Sequence, residues 1–158
     1  MRSMRCTGVL VVGAVLLAAA VFAEEKPNLS GDWKINAALS DFGEAPKPEK
    51  FEREIDHQEP SLIVRTTLFA GTAQNSKGTY WTDGRECVNK SPFGETLRST
   101  LRWDGKSLLI ETKAKIGNQI ITVHQRMELS DDGRTLTDTS EWSNSQTTFT
   151  RKLVFGKK

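Results

Sequence analysis

Residues 97–112 read Leu-Arg-Ser-Thr-Leu-Arg-Trp-Asp-Gly-Lys-Ser-Leu-Leu-Ile-Glu-Thr. On both sides of the dipeptide Asp104-Gly105, small or apolar side chains alternate with polar and charged ones. Alternation with a period of two is typical of half-buried strands, and Asp-Gly accepts the positive φ angles of a tight hairpin turn. The stretch therefore predicts an antiparallel hairpin that turns one face toward a core.

The same pattern continues along the chain after Glu24. Asp83-Gly84 and Asp132-Gly133 repeat the turn chemistry, while Gly117-Asn118 and Ser143-Asn144 suit other bends. No helical periodicity is long enough to make a crossover connection. Ten strands are predicted, at Ser30–Asn36, Phe51–His57, Leu62–Phe69, Gly78–Thr82, Glu86–Asn89, Glu95–Trp103, Ser107–Lys115, Gln119–Leu129, Thr135–Trp142 and Thr147–Phe155.

The short connections imply an up-and-down meander, which hides its edges best by closing on itself. We therefore predict an all-β fold, an antiparallel up-and-down β-barrel of about 8–10 strands. A sandwich is the alternative, although it usually needs longer crossing connections. One longer irregular segment, residues 37–50, follows the first strand, and Phe42 within it is expected to plug one barrel end.

The alternation also predicts which side chains face inward. Besides apolar residues, this face contains Ser99, Thr112, Gln125 and Arg151, so it is more polar than a solid core requires. Buried polar groups need partners, so these groups either pair together or share the interior with water and a ligand. Asp138 falls on the inward face of the ninth strand and, if buried there, needs an Arg or Lys beside it.

The first 23 residues differ in kind from the rest. Arg2 and Arg5 precede an uncharged apolar run from Gly8 to Phe22, and Ala23 follows before the first acids. This pattern predicts a cleavable secretory signal peptide over residues 1–23 and a single barrel domain over residues 24–158. An uncleaved membrane anchor is the less favoured interpretation, since a stable span needs about 20 apolar residues. We expect a secreted or periplasmic protein, with no stable membrane insertion after cleavage.

Net charge and cysteine content limit which classes of partner and which cross-links are expected. The chain has 22 Lys and Arg against 20 Asp and Glu, and removing Arg2 and Arg5 with the signal leaves 20 against 20. A neutral domain has no net charge with which to attract nucleic acid or an anionic surface. One cysteine, Cys87, remains after cleavage, so no internal disulfide can form. We therefore expect no nucleic-acid partner, and the sequence assigns no protein partner.

The segment Leu29-Ser30-Gly31-Asp32-Trp33 resembles the Gly-x-Trp motif that opens lipocalins and related calycins. The chain is most similar to the small exported lipocalin-like proteins of bacteria, most of which have no assigned function. In that superfamily the tryptophan closes one barrel end and packs beneath an arginine from the last strand. The resemblance implies a closing pair of Trp33 and Arg151, with Gly31 allowing close approach of the backbone.

The sequence contains no catalytic motif, so we expect a protein that is not an enzyme. His57 and His124 lack the spacing of a metal site, and neither a metal nor a cofactor is predicted. The favoured function is binding of a small, partly apolar molecule in the barrel mouth. Its candidate lining residues are Arg53, His57, Trp81, Trp103, Gln125, Met127, Trp142 and Phe149.

The main alternative is an interaction module, either an envelope scaffold or a barrel-shaped inhibitor of a secreted enzyme. It predicts a filled interior, with function in the turns at residues 89–95 or 71–78. Trp103 and Trp142, which each end a strand, either rim a pocket or cap the core. An open interior would favour a ligand, whereas a filled one with an exposed apolar loop would favour a partner.

Overall fold

Ten antiparallel strands make up most of residues 25–158, the part of the chain that the computed structural model describes. The predicted signal peptide, residues 1–23, lies outside the described residues. The strands are β1 (Gly31–Ile35), β2 (Lys50–Gln58), β3 (Ser61–Ala70), β4 (Thr72–Trp81), β5 (Asp83–Lys90), β6 (Thr96–Asp104), β7 (Ser107–Ile116), β8 (Gln119–Leu129), β9 (Thr135–Ser143) and β10 (Thr148–Lys157). Within residues 25–158 no helix is long and apolar enough to cross a membrane.

The strands form one sheet in the order β4-β3-β2-β1-β10-β9-β8-β7-β6-β5. Pairing of β1 with β10 joins the two ends of the described chain, so the sheet edges are β4 and β5. The side-chain amide of Asn89 joins these edges by accepting from the Thr79 N–H at 2.9 Å and donating to the Thr79 carbonyl at 3.0 Å. The predicted up-and-down barrel is confirmed as a nearly closed one.

The fourth strand is the largest departure from the predicted boundaries. It begins at Thr72 rather than Gly78, and the predicted turn over residues 71–78 reduces to Gly71 with a φ of +76°. Residues 72–77 are mostly polar and, apart from Thr72, have little intrinsic strand preference, but each pairs with a residue of β3. Pairing therefore outweighs local propensity in this segment.

The connections divide the barrel into two different ends. At one end, the closed end, lie the turns β2–β3, β4–β5, β6–β7 and β8–β9. At the other, the open end, lie the turns β3–β4, β5–β6, β7–β8 and β9–β10, together with residues 42–49 of the long segment after β1. Phe42 packs against the core beneath that segment, as expected.

The closed end contains the densest part of the core. The predicted inward faces hold there, because alternating residues of β6 and β9 are buried while the residues between them are half-buried or exposed. The fully buried side chains include Leu29, Trp33, Leu62, Leu101, Leu108, Leu136 and Phe155. Burying a large apolar side chain contributes about 1.5–3 kcal/mol, so this layer accounts for much of the stability and gives residues 25–158 a complete core of their own.

Trp33 closes this end as predicted, but its cationic partner differs from the prediction. The Nζ of Lys157 lies 5.3 Å from the Trp33 ring centroid, whereas the Arg151 guanidinium lies over Trp142 at 4.5 Å. The register explains the correction: Trp33 pairs with Lys157, and Arg151 is six residues, about 20 Å of extended strand, away.

Gly31 has a specific role in this arrangement. Its φ is +146°, and a Cβ at this position would approach the Cε of Lys157 to 2.6 Å. Because Gly31 has no side chain, the Lys157 side chain can pass over it and reach the Trp33 ring. The expected close approach at Gly31 is present, although a lysine side chain makes it.

Candidate binding cavity

The open end leads into an apolar cavity of about 400 Å³. Inward-facing residues of β6–β9 form its wall, and the β5–β6 turn forms part of its rim. The lining residues are Tyr80, Ser91, Pro92, Phe93, Glu95, Leu97, Thr112, Ala114, Ile116, Ile121, Val123, Gln125 and Trp142. This volume and this mostly apolar wall are typical of small-molecule sites. We refer to this space as the mouth cavity.

A smaller, more polar cavity of about 150 Å³ adjoins the mouth cavity and shares Tyr80, Thr112 and Gln125 with it. In this polar chamber, Arg53 Nη1 donates to Asp138 Oδ2 at 2.6 Å, and Gln125 Nε2 donates to the same oxygen at 2.7 Å. Asp138 is 2% exposed. The expectation that an inward Asp138 needs a basic neighbour is thus confirmed, with Arg53 of β2 as that neighbour.

Arg151 gives the interior a second guanidinium group. Burial lowers the pKa of Arg151, the charge of Arg53 lowers it further, and Asp138 opposes the change. Its Nε and the Asp138 Oδ1 are both buried without a hydrogen-bond partner among the described residues. Arg151 borders neither cavity: it lines a separate space of about 190 Å³ with Phe42 and Leu153, near enough to Asp138 and Arg53 for their charges to shift its pKa. Two guanidinium groups and one carboxylate in this part of the barrel leave donors and a positive charge there. Such groups are the kind that a ligand or ordered water satisfies.

Tyr80 borders both cavities and was not among the predicted lining residues. A Cβ on Gly78 would lie 2.4 Å from the Tyr80 hydroxyl oxygen and 2.5 Å from its Cζ, so the phenol folds back over Gly78. Burial raises the pKa of Tyr80, while the nearby Arg53 opposes that rise. The pair Gly78-x-Tyr80 on one face of β4 was the sequence signal that could have revealed this residue.

The eight predicted lining residues divide between the two ends of the barrel. Arg53, Gln125 and Met127 line the polar chamber, Trp142 lines the mouth cavity, and Phe149 supports Trp142 by stacking on it with ring centroids 5.8 Å apart. The other three predicted lining residues are His57, Trp81 and Trp103. They lie next to turns of the closed end and border neither cavity, so the prediction that they line the pocket is wrong.

His57 and Trp103 belong to a polar cluster around Glu59 at the closed end. Glu59 Oε1 accepts from His57 Nε2 at 2.9 Å and from Trp103 Nε1 at 2.6 Å, while the Thr82 hydroxyl contacts both carboxylate oxygens. The second nitrogen of His57, Nδ1, accepts from the Leu29 N–H at 3.2 Å. This network fastens the segment before β1 to the β2–β3 and β4–β5 turns, and we assign it a structural role.

The cluster makes the stability of the barrel sensitive to acid. Partial burial raises the pKa of Glu59, but hydrogen bonds from His57, Trp103, Thr82 and Lys26 outweigh this and lower it from 4.5 to about 2. The contribution of Glu59 to the free energy of unfolding is therefore complete above pH 4.5 and is lost as the pH falls through about 2.

We expect Glu59→Gln to lower the unfolding free energy at pH 7 by about 1–2 kcal/mol, because a third of the side chain is exposed and solvent screens part of the interaction. Urea titrations of both proteins between pH 7 and pH 2 measure the difference. It should shrink in the acidic range, and a difference that stays constant would contradict the assignment.

The outer wall has a groove of about 490 Å³ across β6–β9 that is more polar than the mouth cavity, with Arg102, Glu111 and Arg126 among its lining residues. His124 lies there, as predicted, with its Nδ1 4.0 Å from Glu111 and more than half of its side chain exposed. Among residues 25–158 no group of three or more His, Cys, Asp and Glu side chains is placed to hold a metal ion. Cys87 is buried where β4 meets β5, and its Sγ accepts from the Trp81 N–H.

Comparison with known proteins identifies the fold. A REP1-NXSQ fatty acid transporter has a TM-score of 0.57 at 13% identity, over 82% of this chain and 96% of its own. Zebrafish ileal bile acid-binding protein complexed with cholic acid scores 0.55 at 16% identity, over 82% and 98%. Secretory abundant heat soluble protein 4 from Ramazzottius varieornatus scores 0.55 at 16% identity, over 86% and 99%. At these identities the likeness shows a shared fold, and the predicted lipocalin-like barrel architecture is confirmed.

No protein-family model matches the sequence, and no curated protein matches it.

Proposed function

We propose that this protein binds a small amphipathic molecule inside its barrel, with the apolar body in the mouth cavity and an anionic group toward Arg53 and Arg151. The observation that carries this proposal is the apolar cavity of about 400 Å³ beside the buried Arg53–Asp138 pair, with the Arg151 guanidinium stacked on Trp142 of the cavity wall. A binding site of this kind combines apolar surface with a few polar groups that orient the ligand.

The charge of the ligand follows from the charged groups of the interior. Burial removes part of the hydration of Arg151, and its Nε has no hydrogen-bond partner within residues 25–158. A bound anion would replace the lost hydration with charge-assisted hydrogen bonds, which are stronger than neutral ones. A neutral molecule would gain the apolar contacts alone. Two of the similar structures are named for a fatty acid and a bile acid, which are both amphipathic acids.

We also propose that the protein acts after export, because the apolar run at residues 8–22 has the form of a signal peptide. The interaction-module alternative predicts a filled interior. The mouth cavity argues against that alternative, and nothing in the proposed function requires an enzymatic step.

Two dyes that differ mainly by one sulfonate group test the proposal. We expect the anion 1-anilinonaphthalene-8-sulfonate to bind with one-to-one stoichiometry, and Arg151→Gln to weaken it by about tenfold, the loss of one charge-assisted contact. The neutral N-phenyl-1-naphthylamine should be affected less than twofold by the same change. Fluorescence titration measures both affinities.

A second variant controls for the place of binding. Ala114 lines the mouth cavity and is 9% exposed, so Ala114→Phe should fill that space and weaken both dyes. Near-ultraviolet circular dichroism verifies that each variant keeps its packed core. Equal loss of the two dyes in Arg151→Gln would refute the anionic ligand, and full dye binding in Ala114→Phe would refute the cavity.

A further inference from the structure

Exposed apolar side chains are concentrated beside the mouth cavity. Of the five large hydrophobic residues that are exposed in residues 25–158, Phe93 (72% exposed), Ile116 (49%) and Ile120 (65%) lie on the β5–β6 and β7–β8 hairpins. The two hairpins are neighbours, because β6 pairs with β7. We call these three residues the lip. The other two exposed residues, Leu39 and Val88, lie on the flank beside β10 and on the wall of β5.

The lip continues directly into the interior. Phe93 and Ile116 line the mouth cavity as well as the surface, so apolar surface runs unbroken from the outside to the inside. Ile120 lies on the outer face of β8, opposite Lys115 of β7. Clustered exposed apolar side chains mark interaction sites, and this cluster stands where a ligand would enter.

The charges around the lip indicate the chemistry of the partner. Lys90, Lys113 and Lys115 flank the lip, although Lys113 is paired with Glu111 at 2.8 Å. Glu95 is the one acid in the four hairpin turns of the open end, and Glu44 and Glu49 lie in the long segment there. The Glu95 carboxylate bonds to the Ser91 hydroxyl of its own turn. The four turns of the closed end, with the strand residues next to them, contain the acids Glu59, Asp83, Asp104, Asp131 and Asp132 against the bases Lys106 and Arg134.

The net charge of the predicted barrel domain is near zero and does not reveal this separation of charge between the two ends. The lip has lysines beside it, and most of the turn acids lie at the closed end. Such an arrangement suits a partner surface that has an anionic outer layer over an apolar interior. Lysine stems can extend along apolar surface while their ammonium groups reach anionic headgroups.

We propose that the lip docks the open end of the barrel on an anionic lipid bilayer, with Phe93, Ile116 and Ile120 entering the boundary between headgroups and acyl chains. An apolar ligand could then pass between bilayer and mouth cavity without crossing water. Docking itself requires no ligand. Only its purpose, the transfer of a ligand, rests on the proposed function.

Vesicle flotation tests the proposal with residues 25–158, which contain the ten strands described above and the core they enclose and exclude the apolar run at residues 8–22. The wild-type barrel should bind vesicles of phosphatidylcholine with phosphatidylglycerol. Phe93→Ser with Ile120→Ser should weaken this binding by about tenfold or more, because less apolar surface is buried. Leu39→Ser with Val88→Ser removes two apolar residues outside the lip and should change binding less than twofold.

The lysines provide a second, independent arm. Lys115→Gln should weaken binding to the anionic vesicles by about fivefold, the value of one lysine near such a surface. Lys113→Gln should weaken it less, because Glu111 already opposes that charge, and neither should affect binding to pure phosphatidylcholine. Absence of wild-type binding, or equal loss in the lip variant and its matched control, would overturn the proposal. So would sedimentation velocity showing that Phe93 instead joins two copies of the chain.

The dye titrations are made without vesicles, so the two proposals can fail separately. Ile120→Ser alone should leave dye affinity unchanged, because this side chain lies on the outer face.

Discussion

Asp138→Ala should lower the free energy of unfolding by about 3–5 kcal/mol, the cost of removing one partner from a buried ion pair. Asp138 is 2% exposed, and its Oδ2 accepts from both Arg53 and Gln125. The substitution leaves two guanidinium groups in the interior without an opposing carboxylate. Because domains are stable by only about 5–15 kcal/mol, urea denaturation should show a large fall in the transition midpoint.

The control separates loss of the ion pair from loss of packing. Replacing both partners, in Arg53→Met with Asp138→Leu, removes the hydrogen-bonded pair together and leaves the half-buried Arg151, so it should recover part of the stability that Asp138→Ala loses. An Asp138→Ala protein within 1 kcal/mol of wild type would mean that water reaches Arg53 freely. That result would contradict the buried polar chamber.

Trp33→Ala should have an effect of similar size at the closed end, about 3–5 kcal/mol, because it empties a large volume in the core. Trp33 is fully buried, its Nε1 donates to the Leu29 carbonyl at 3.1 Å, and it is surrounded by the densest layer of apolar side chains. Thermal or urea unfolding measures the loss. A loss below 1 kcal/mol would show that the closed end does not depend on this residue.

A double-mutant cycle distinguishes the two candidate cationic partners of Trp33. Lys157→Ala should cost about 0.5–1 kcal/mol in the wild type and less when Trp33 is already Phe, since the ammonium group lies over the larger ring. Arg151→Ala should show no coupling to Trp33. Coupling to Arg151 and not to Lys157 would restore the partner that the family resemblance implied.

Strand number, order of hairpins and inward faces could be predicted from the sequence because local chemistry determines them. Asp104-Gly105 and its equivalents mark the turns, and period-two alternation assigns faces such as that of Asp138. The same alternation indicated that Asp138 needs a basic neighbour. It could not show that Arg53, 85 residues earlier in the chain, is that neighbour, because this contact depends on the closing of the barrel.

The candidate site was harder to predict because alternation assigns a face but not a height along the barrel. His57, Trp103 and Trp142 all carry large rings near strand ends, yet the first two lie at the closed end and Trp142 lines the mouth cavity. Register also decided between Arg151 and Lys157, since both follow the Gly31-x-Trp33 segment on the same distant strand. Tyr80 was missed because its role depends on the space above Gly78.

Native mass spectrometry of the protein purified from the organism that makes it tests the central claim most directly. The account predicts a single retained small molecule, a singly charged amphipathic anion, that is released when the barrel unfolds and is absent from Ala114→Phe. Protein that consistently carries no added mass, and that also binds neither dye in the mouth cavity, would contradict the assignment of the interior as a ligand-binding site.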